Sequence, residues 1–222
     1  MEVQPYTHKD IYKAVIRSQH CQRNWDLSKQ IPEEDIKLLI DCATQCPSKQ
    51  NIAFYNLHFI TERGLIEEIH SHTWGIVTKR HPSGLETNTQ TLANLLVVFE
   101  LTDISQQLKK DFVKRSQESE NILNESPTIK EDMRILKRDA DVAVGIAAGY
   151  LNLTSSLLGY STGCCQCFDI TKIKKIMNLK NEPTLLMGIG YKNDNVNRRR
   201  HHIREDFLFS IKKKQPIDVT IW

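Results

Sequence analysis

No nucleotide-binding or hydrolase signature runs through this 222-residue chain. There is no P-loop, no G-x-S-x-G and no H-E-x-x-H. Gly188-Ile189-Gly190 falls short of a dinucleotide fingerprint, because no third glycine and no helix follow it. The eight histidines do not fall into metal spacing. The dense run Cys164-Cys165-Gln166-Cys167 lacks the C-x-x-C pair and the downstream histidine of a zinc finger, so no metal is expected. A cysteine nucleophile needs a base beside it, and no base is marked. The opening residues, MEVQPYTHKD, contain no apolar core of a secretory signal. The six cysteines (Cys21, Cys42, Cys46, Cys164, Cys165 and Cys167) are therefore expected to be reduced thiols of a cytoplasmic protein. Net charge is only +3, and aromatic residues do not interleave with basic ones, so no nucleic-acid partner is expected.

What is present is a foldable soluble composition, 40% apolar and 26% charged. It fits a single domain over residues 1–222. The organising stretch is Asp139 to Asp169, which holds no charge between Asp141 and Asp169. Asp139 and Asp141 suit a helix N-terminus and Gly159 a helix end, so a central buried helix is expected between them. Gly145 and Gly149 share one face, which predicts that something approaches that face closely. Asn152, Thr154, Ser155 and Ser156 interrupt the apolar run, so the stretch is not read as a membrane span.

Periodicity predicts further elements on either side. Asp10 to Ser18 reads as a helix, and a second opens at Pro32 with Glu33, Glu34 and Asp35 in its first turn. Phe54–Ile60 alternates as a strand, and Glu67–His72 belongs to a short helix. Leu95–Leu101 is a continuous apolar run and hence a buried strand. Residues 103–138 are heavily charged and read as a helical excursion divided at Pro127. Lys172–Met177 is a short helix, Leu185–Tyr191 a strand, and Ile217–Trp222 a last strand.

Several turns along this frame carry polar groups. Gln19-His20-Cys21-Gln22-Arg23-Asn24-Trp25 follows the first helix, and Ile31-Pro32-Glu33-Glu34 opens the second. Pro47-Ser48-Lys49-Gln50-Asn51 precedes the aromatic start of a strand at Phe54. Leu158-Gly159-Tyr160 leads through to Cys167, and Gly190 leads to Arg198 and Arg200. In order and spacing this set resembles the nitroreductase-like FMN oxidoreductases, over nearly the whole chain. Two departures stand out: Gln19 and Cys21 occupy the places of the family's arginine and serine, and Arg17 lies nearby in sequence as a substitute for the missing cation.

The resemblance implies an α+β fold, with a mostly antiparallel sheet between helical layers and a homodimer that exchanges its C-terminal strand. It implies FMN as cofactor and NADH or NADPH as electron donor, with a small-molecule acceptor such as a nitroaromatic or a quinone. A non-catalytic flavin-binding protein, a reductive dehalogenase and a flavin-fragmenting enzyme of the same fold are the alternatives. Arg23, Arg198 and Arg200 suit the phosphate, supported by Gln19, His20 and Cys21. Pro47, Ser48, Lys49, Gln50 and Asn51, with Asn88 and Gln90, suit the ribityl chain and the ring edge. Cys164, Cys165, Gln166 and Cys167 line the flavin-facing turn, where the main-chain amide of Gln166 or Cys167 approaches N5. The redox chemistry is the flavin's own, which accounts for the lack of a catalytic dyad.

Overall fold

The fold is built outward from β2 (Leu95–Leu101), whose first six residues are all buried. Leu95 through Phe99 have no exposed surface, which a strand achieves only in the middle of a sheet covered on both faces. The computed structural model describes residues 6–74, 88–103, 129–194 and 214–221. Within them β2 pairs antiparallel with β1 (Tyr55–Ile60) on one side and with β4 (Pro183–Gly190) on the other. β3 (Ser161–Cys165) pairs with the far side of β4, giving the order β1-β2-β4-β3.

Period-two alternation then sorts the core into two layers. Leu95, Val97 and Phe99, with Leu185, Met187 and Ile189, face α2 (Glu33–Thr44) and α4 (Ile129–Leu157) through Leu39, Ala43, Val144, Ala147 and Leu151. Leu96, Val98 and Leu186 face the other way, onto Ile66 and Ile69 of α3 (Arg63–Ser71) and Ile173 of α5 (Ile170–Ile176). Each such side chain contributes about 1.5–3 kcal/mol when fully buried. The expected sheet between helical layers is therefore present.

Helix boundaries follow from local capping. α1 (His8–Ser18) starts at a capping box between Thr7 and Asp10. Glu62 accepts the Gly64 and Leu65 amides to start α3, and Asp169 accepts the Lys172 amide to start α5. Gly159, at φ +94°, follows the last turn of α4 as predicted.

Four expectations are not met within a single copy. α4 does not begin at Asp139: it begins at Ile129, so Asp139 and Asp141 lie inside the helix and do not complement its N-terminus. α4 is also not buried all round, since Val142, Tyr150 and Leu153 are exposed. Among the described residues, no atom beyond the helix's own backbone lies within 4 Å of where a Cβ would stand at Gly145 or Gly149. Residues 214–221 form no strand, and Ile217, Val219 and Ile221 are 74%, 80% and 92% exposed. A strand needs a partner for its backbone groups, and among the described residues none pairs with this segment. The proposed division at Pro127 lies outside the described residues.

Candidate functional site

Two glycines explain why polar turns gather at one end of the sheet. Gly163 of β3 and Gly188 of β4 are cross-strand neighbours. A Cβ at Gly188 would stand 2.1 Å from the Gln90 carbonyl oxygen, and one at Gly163 would stand 2.8 Å from that of Gln22 and 3.0 Å from Gln90 Cβ. The bare backbone of two strands thus admits a single 3-10 turn, Thr89–Thr91, and the loop after α1 directly onto the sheet. Gln22 N–H donates to the Thr162 carbonyl at 2.7 Å, continuing the ladder. Buried Trp25 donates its indole N–H to the Thr89 carbonyl at 2.8 Å, tying loop to turn.

The turn after β3 joins the same group. Asn88 donates to Cys165 Sγ at 3.0 Å and accepts the Gln90 amide at 3.1 Å. Trp74 N–H donates to the Cys167 carbonyl and Asp169 N–H to that of His72, each at 2.9 Å. Pairing of β3 with β4 stops at Cys165, so Gln166 and Cys167 lie beyond the ladder, with Gln166 exposed. Burial pushes the Cys164 thiol up to about 12, with the thiols of Cys21 and Cys165 beside it adding to the shift. Burial likewise raises Cys165 to about 11, against opposing hydrogen bonds and the nearby charge of Arg23. Both are thiols at neutral pH and lack the thiolate needed for nucleophilic or redox chemistry.

The structure therefore brings together Cys21, Arg23, Asn88, Gln90, Cys164, Cys165, Gln166 and Cys167, and sets Gln19 and His20 beside them at the end of α1. The Asn88 side chain has one partner at each end, Cys165 Sγ and the Gln90 amide, and so ties the turn after β3 to the 3-10 turn. Arg17 Nη1 donates to the Ser156 carbonyl at 2.9 Å, closing the C-terminal end of α4. Arg198 and Arg200 lie outside the described residues.

The Pro47–Asn51 turn is elsewhere. It leads into β1, the outer strand at the edge opposite β3. Ser48 donates its hydroxyl to the Ile52 carbonyl at 2.8 Å, and Asn51 adopts φ +54°. The Lys49 ammonium is bound to Asp139, 2.5 Å away, and its side chain stays half exposed. Ser48 and Asn51 border a groove of about 850 Å³ that also runs along Ile40, Ile52, Tyr55 and Leu57. The candidate residues thus form two groups at opposite edges of one sheet.

Three contributors were not singled out from the sequence. Gly163 and Gly188 clear the sheet, and Trp25 fastens the loop. The only available hint was Gly188 in an otherwise apolar strand, which marks a close backbone approach.

Comparison with known proteins agrees with this fold. The model of the nitroreductase family matches residues 16–191. A candidate NAD(P)H:FMN oxidoreductase from Staphylococcus epidermidis superposes with a TM-score of 0.61 at 18% identity, covering 96% of this chain and 95% of that one. A nitroreductase family protein from Streptococcus pneumoniae gives 0.61 at 16%, covering 95% and 96%. A candidate nitroreductase from Exiguobacterium sibiricum, solved in complex with FMN, gives 0.57 at 15%, covering 87% and 92%. No curated protein matches by sequence.

Proposed function

Because the chain belongs to the nitroreductase family, we propose that it is an FMN-dependent oxidoreductase acting as a homodimer. Electrons enter from NADH or NADPH and leave to a small electrophile such as a nitroaromatic or a quinone. The observation that carries this reading is the Gly163–Gly188 clearing. It sets the Gln90 turn, the Arg23 loop and the Gln166–Cys167 amides around one end of the sheet.

The donor set fits a cofactor with a phosphate at one end and a polar ring edge at the other. Arg23 supplies a fixed cation for the phosphate, completed in this proposal by Arg198 and Arg200. Gln90, only 4% exposed, offers both a donor and an acceptor to ribityl or ring-edge atoms. The main-chain amides of Gln166 and Cys167 hold the ring, whatever their side chains. FMN, when bound, supplies the two-electron chemistry. The chain's part is to bind it, orient it and exclude water.

The opposite-edge placement of the Ser48–Asn51 turn supports a dimer in which each site draws that turn from the second copy. The exposed alternation of Ile217, Val219 and Ile221 suits the free edge of a second copy's β1, whose groove is lined by Ile52, Tyr55 and Leu57. The exposed Gly145 and Gly149 suit close packing of α4 across the interface.

Titration of FMN with the purified protein is expected to quench flavin fluorescence to a limit of one FMN per subunit. Anaerobic NADH or NADPH is then expected to bleach the bound flavin. Absence of quenching overturns the assignment, and bound flavin that neither nucleotide reduces marks a non-catalytic flavin protein.

A further inference from the structure

Asp139 stands in the interior of α4, ten residues past the helix start, where a carboxylate gains nothing from the helix dipole. Its side chain is 12% exposed and bridges two cations. Oδ2 lies 2.5 Å from Lys49 Nζ, and Oδ1 lies 3.7 Å from Arg138 Nη2. Lys49 is the second residue after Pro47 and opens the 3-10 turn Lys49–Asn51.

The other described hydrogen bonds of this turn stay inside it. Asn51 N–H donates to Ser48 O at 3.1 Å, Ile52 N–H to Lys49 O at 3.1 Å, and Ser48 Oγ to Ile52 O. These bonds fix the turn's shape but leave its place on the molecule open. Place comes from α4. Ile52 and Phe54 bury against Ala140 and Ala143, and one residue before Ala140 the Asp139 carboxylate holds Lys49. The hydrophobic contact anchors the exit of the turn, and the ion pair anchors its entry.

We propose that Asp139, acting through Lys49, is the positioning residue for the Ser48–Asn51 half of the cofactor site. This rests on the reading that the turn meets FMN across the dimer. It gives a function to a lysine where the resemblance led to the expectation of a ligand contact: Lys49 aims its neighbours at the cofactor and does not itself bind it. Asn51, held at φ +54°, is the residue so presented, because asparagine tolerates the left-handed region and leaves its carboxamide outward.

The test is a double-mutant cycle on the full-length protein with Lys49→Met, Asp139→Asn and the double variant, together with Lys49→Arg. Two readouts are taken: FMN affinity by fluorescence quenching, and hydrogen exchange at the Asn51 and Ile52 amides of the flavin-free protein. Each single variant is expected to weaken FMN binding about five- to tenfold: Lys49→Met leaves the mostly buried Asp139 carboxylate without its lysine, and Asp139→Asn frees the half-exposed lysine and with it the entry of the turn. The double variant is expected to lose no more than either single one, and Lys49→Arg to stay near the wild type. Exchange at both amides is expected to quicken in the Met and Asn variants alone. Additive losses, or unchanged exchange with Asp139→Asn, overturn the proposal. A wild-type protein that binds no FMN refutes the flavin reading instead, while the exchange measurement still decides whether Asp139 positions the turn.

Discussion

At the scale of single residues, Glu100 is the group whose charge the fold has to satisfy. It lies in the middle strand at 4% exposure, at the end of a run otherwise apolar. Its Oε1 accepts the Asn181 main-chain N–H at 2.7 Å, and its Oε2 faces His58 Nε2 at 3.0 Å on the adjoining edge strand. Burial pushes its pKa up. The Asn181 bond, then His58 and Asn56, outweigh burial and leave it below the ordinary 4.5. A depressed folded pKa means that the carboxylate's contribution is complete above the unfolded value and is lost as pH falls through the folded one. Chemical denaturation of the wild type should therefore show stability dropping once pH descends below 4.5. Glu100→Gln should be less stable at neutral pH by about 1–3 kcal/mol, since it keeps the polar groups buried but weakens their bonds. The variant should also show a smaller acid-side loss. Equal pH slopes in the two proteins would assign the acid sensitivity to other groups.

At the scale of elements, the glycines divide into two kinds that the sequence does not distinguish. A Cβ added at Gly188 would stand 2.1 Å from a backbone carbonyl oxygen, whereas one added at Gly149 would meet open space among the described residues. Gly188→Ala is expected to cost about 1–3 kcal/mol in thermal unfolding and to weaken FMN binding, because the obstructing atom is main chain and cannot swing aside. Gly149→Leu is expected to leave helicity intact and shift sedimentation from dimer to monomer. A dimer unaffected by it would move the interface off this face. The same contrast shows what could be read in advance. β2 was legible because a strand buried on both faces reads as an unbroken apolar run, and α1 and α2 because their caps and first-turn acids are local. β3 escaped, since Ser161-Thr162-Gly163-Cys164-Cys165 is short and holds a glycine, and its pairing with β4 makes it a strand more than propensity does. The start of α4 was misplaced because two aspartates resemble a first turn. One of them instead serves an ion pair with a lysine 90 positions away. The Asn88–Cys165 bond was hidden for the same reason, its two ends lying 77 positions apart. Resemblance located the turns, but it could not say which side chains were already engaged.

At the scale of the whole molecule, the opposite-edge placement of the two residue groups makes a prediction about mixed subunits. Arg23→Ala and Asn51→Ala chains should each bind FMN poorly. When they are unfolded together and refolded, the mixed dimers combine both lesions in one site and leave the other intact. About a quarter of the wild-type flavin sites should return, because half the dimers are mixed and each has one good site. No recovery would mean that each copy completes its own site. The strand order β1-β2-β4-β3 has a further consequence, one of timing. β1 and β2 are close in sequence and can pair as soon as Leu101 has been made. The other side of β2 waits for β4, which begins at Pro183. A ribosome adding about 5–20 residues per second keeps that apolar edge open for several seconds of every synthesis. During this interval the apolar edge of β2 depends on chaperones or on the charged segment downstream of it to keep other chains away.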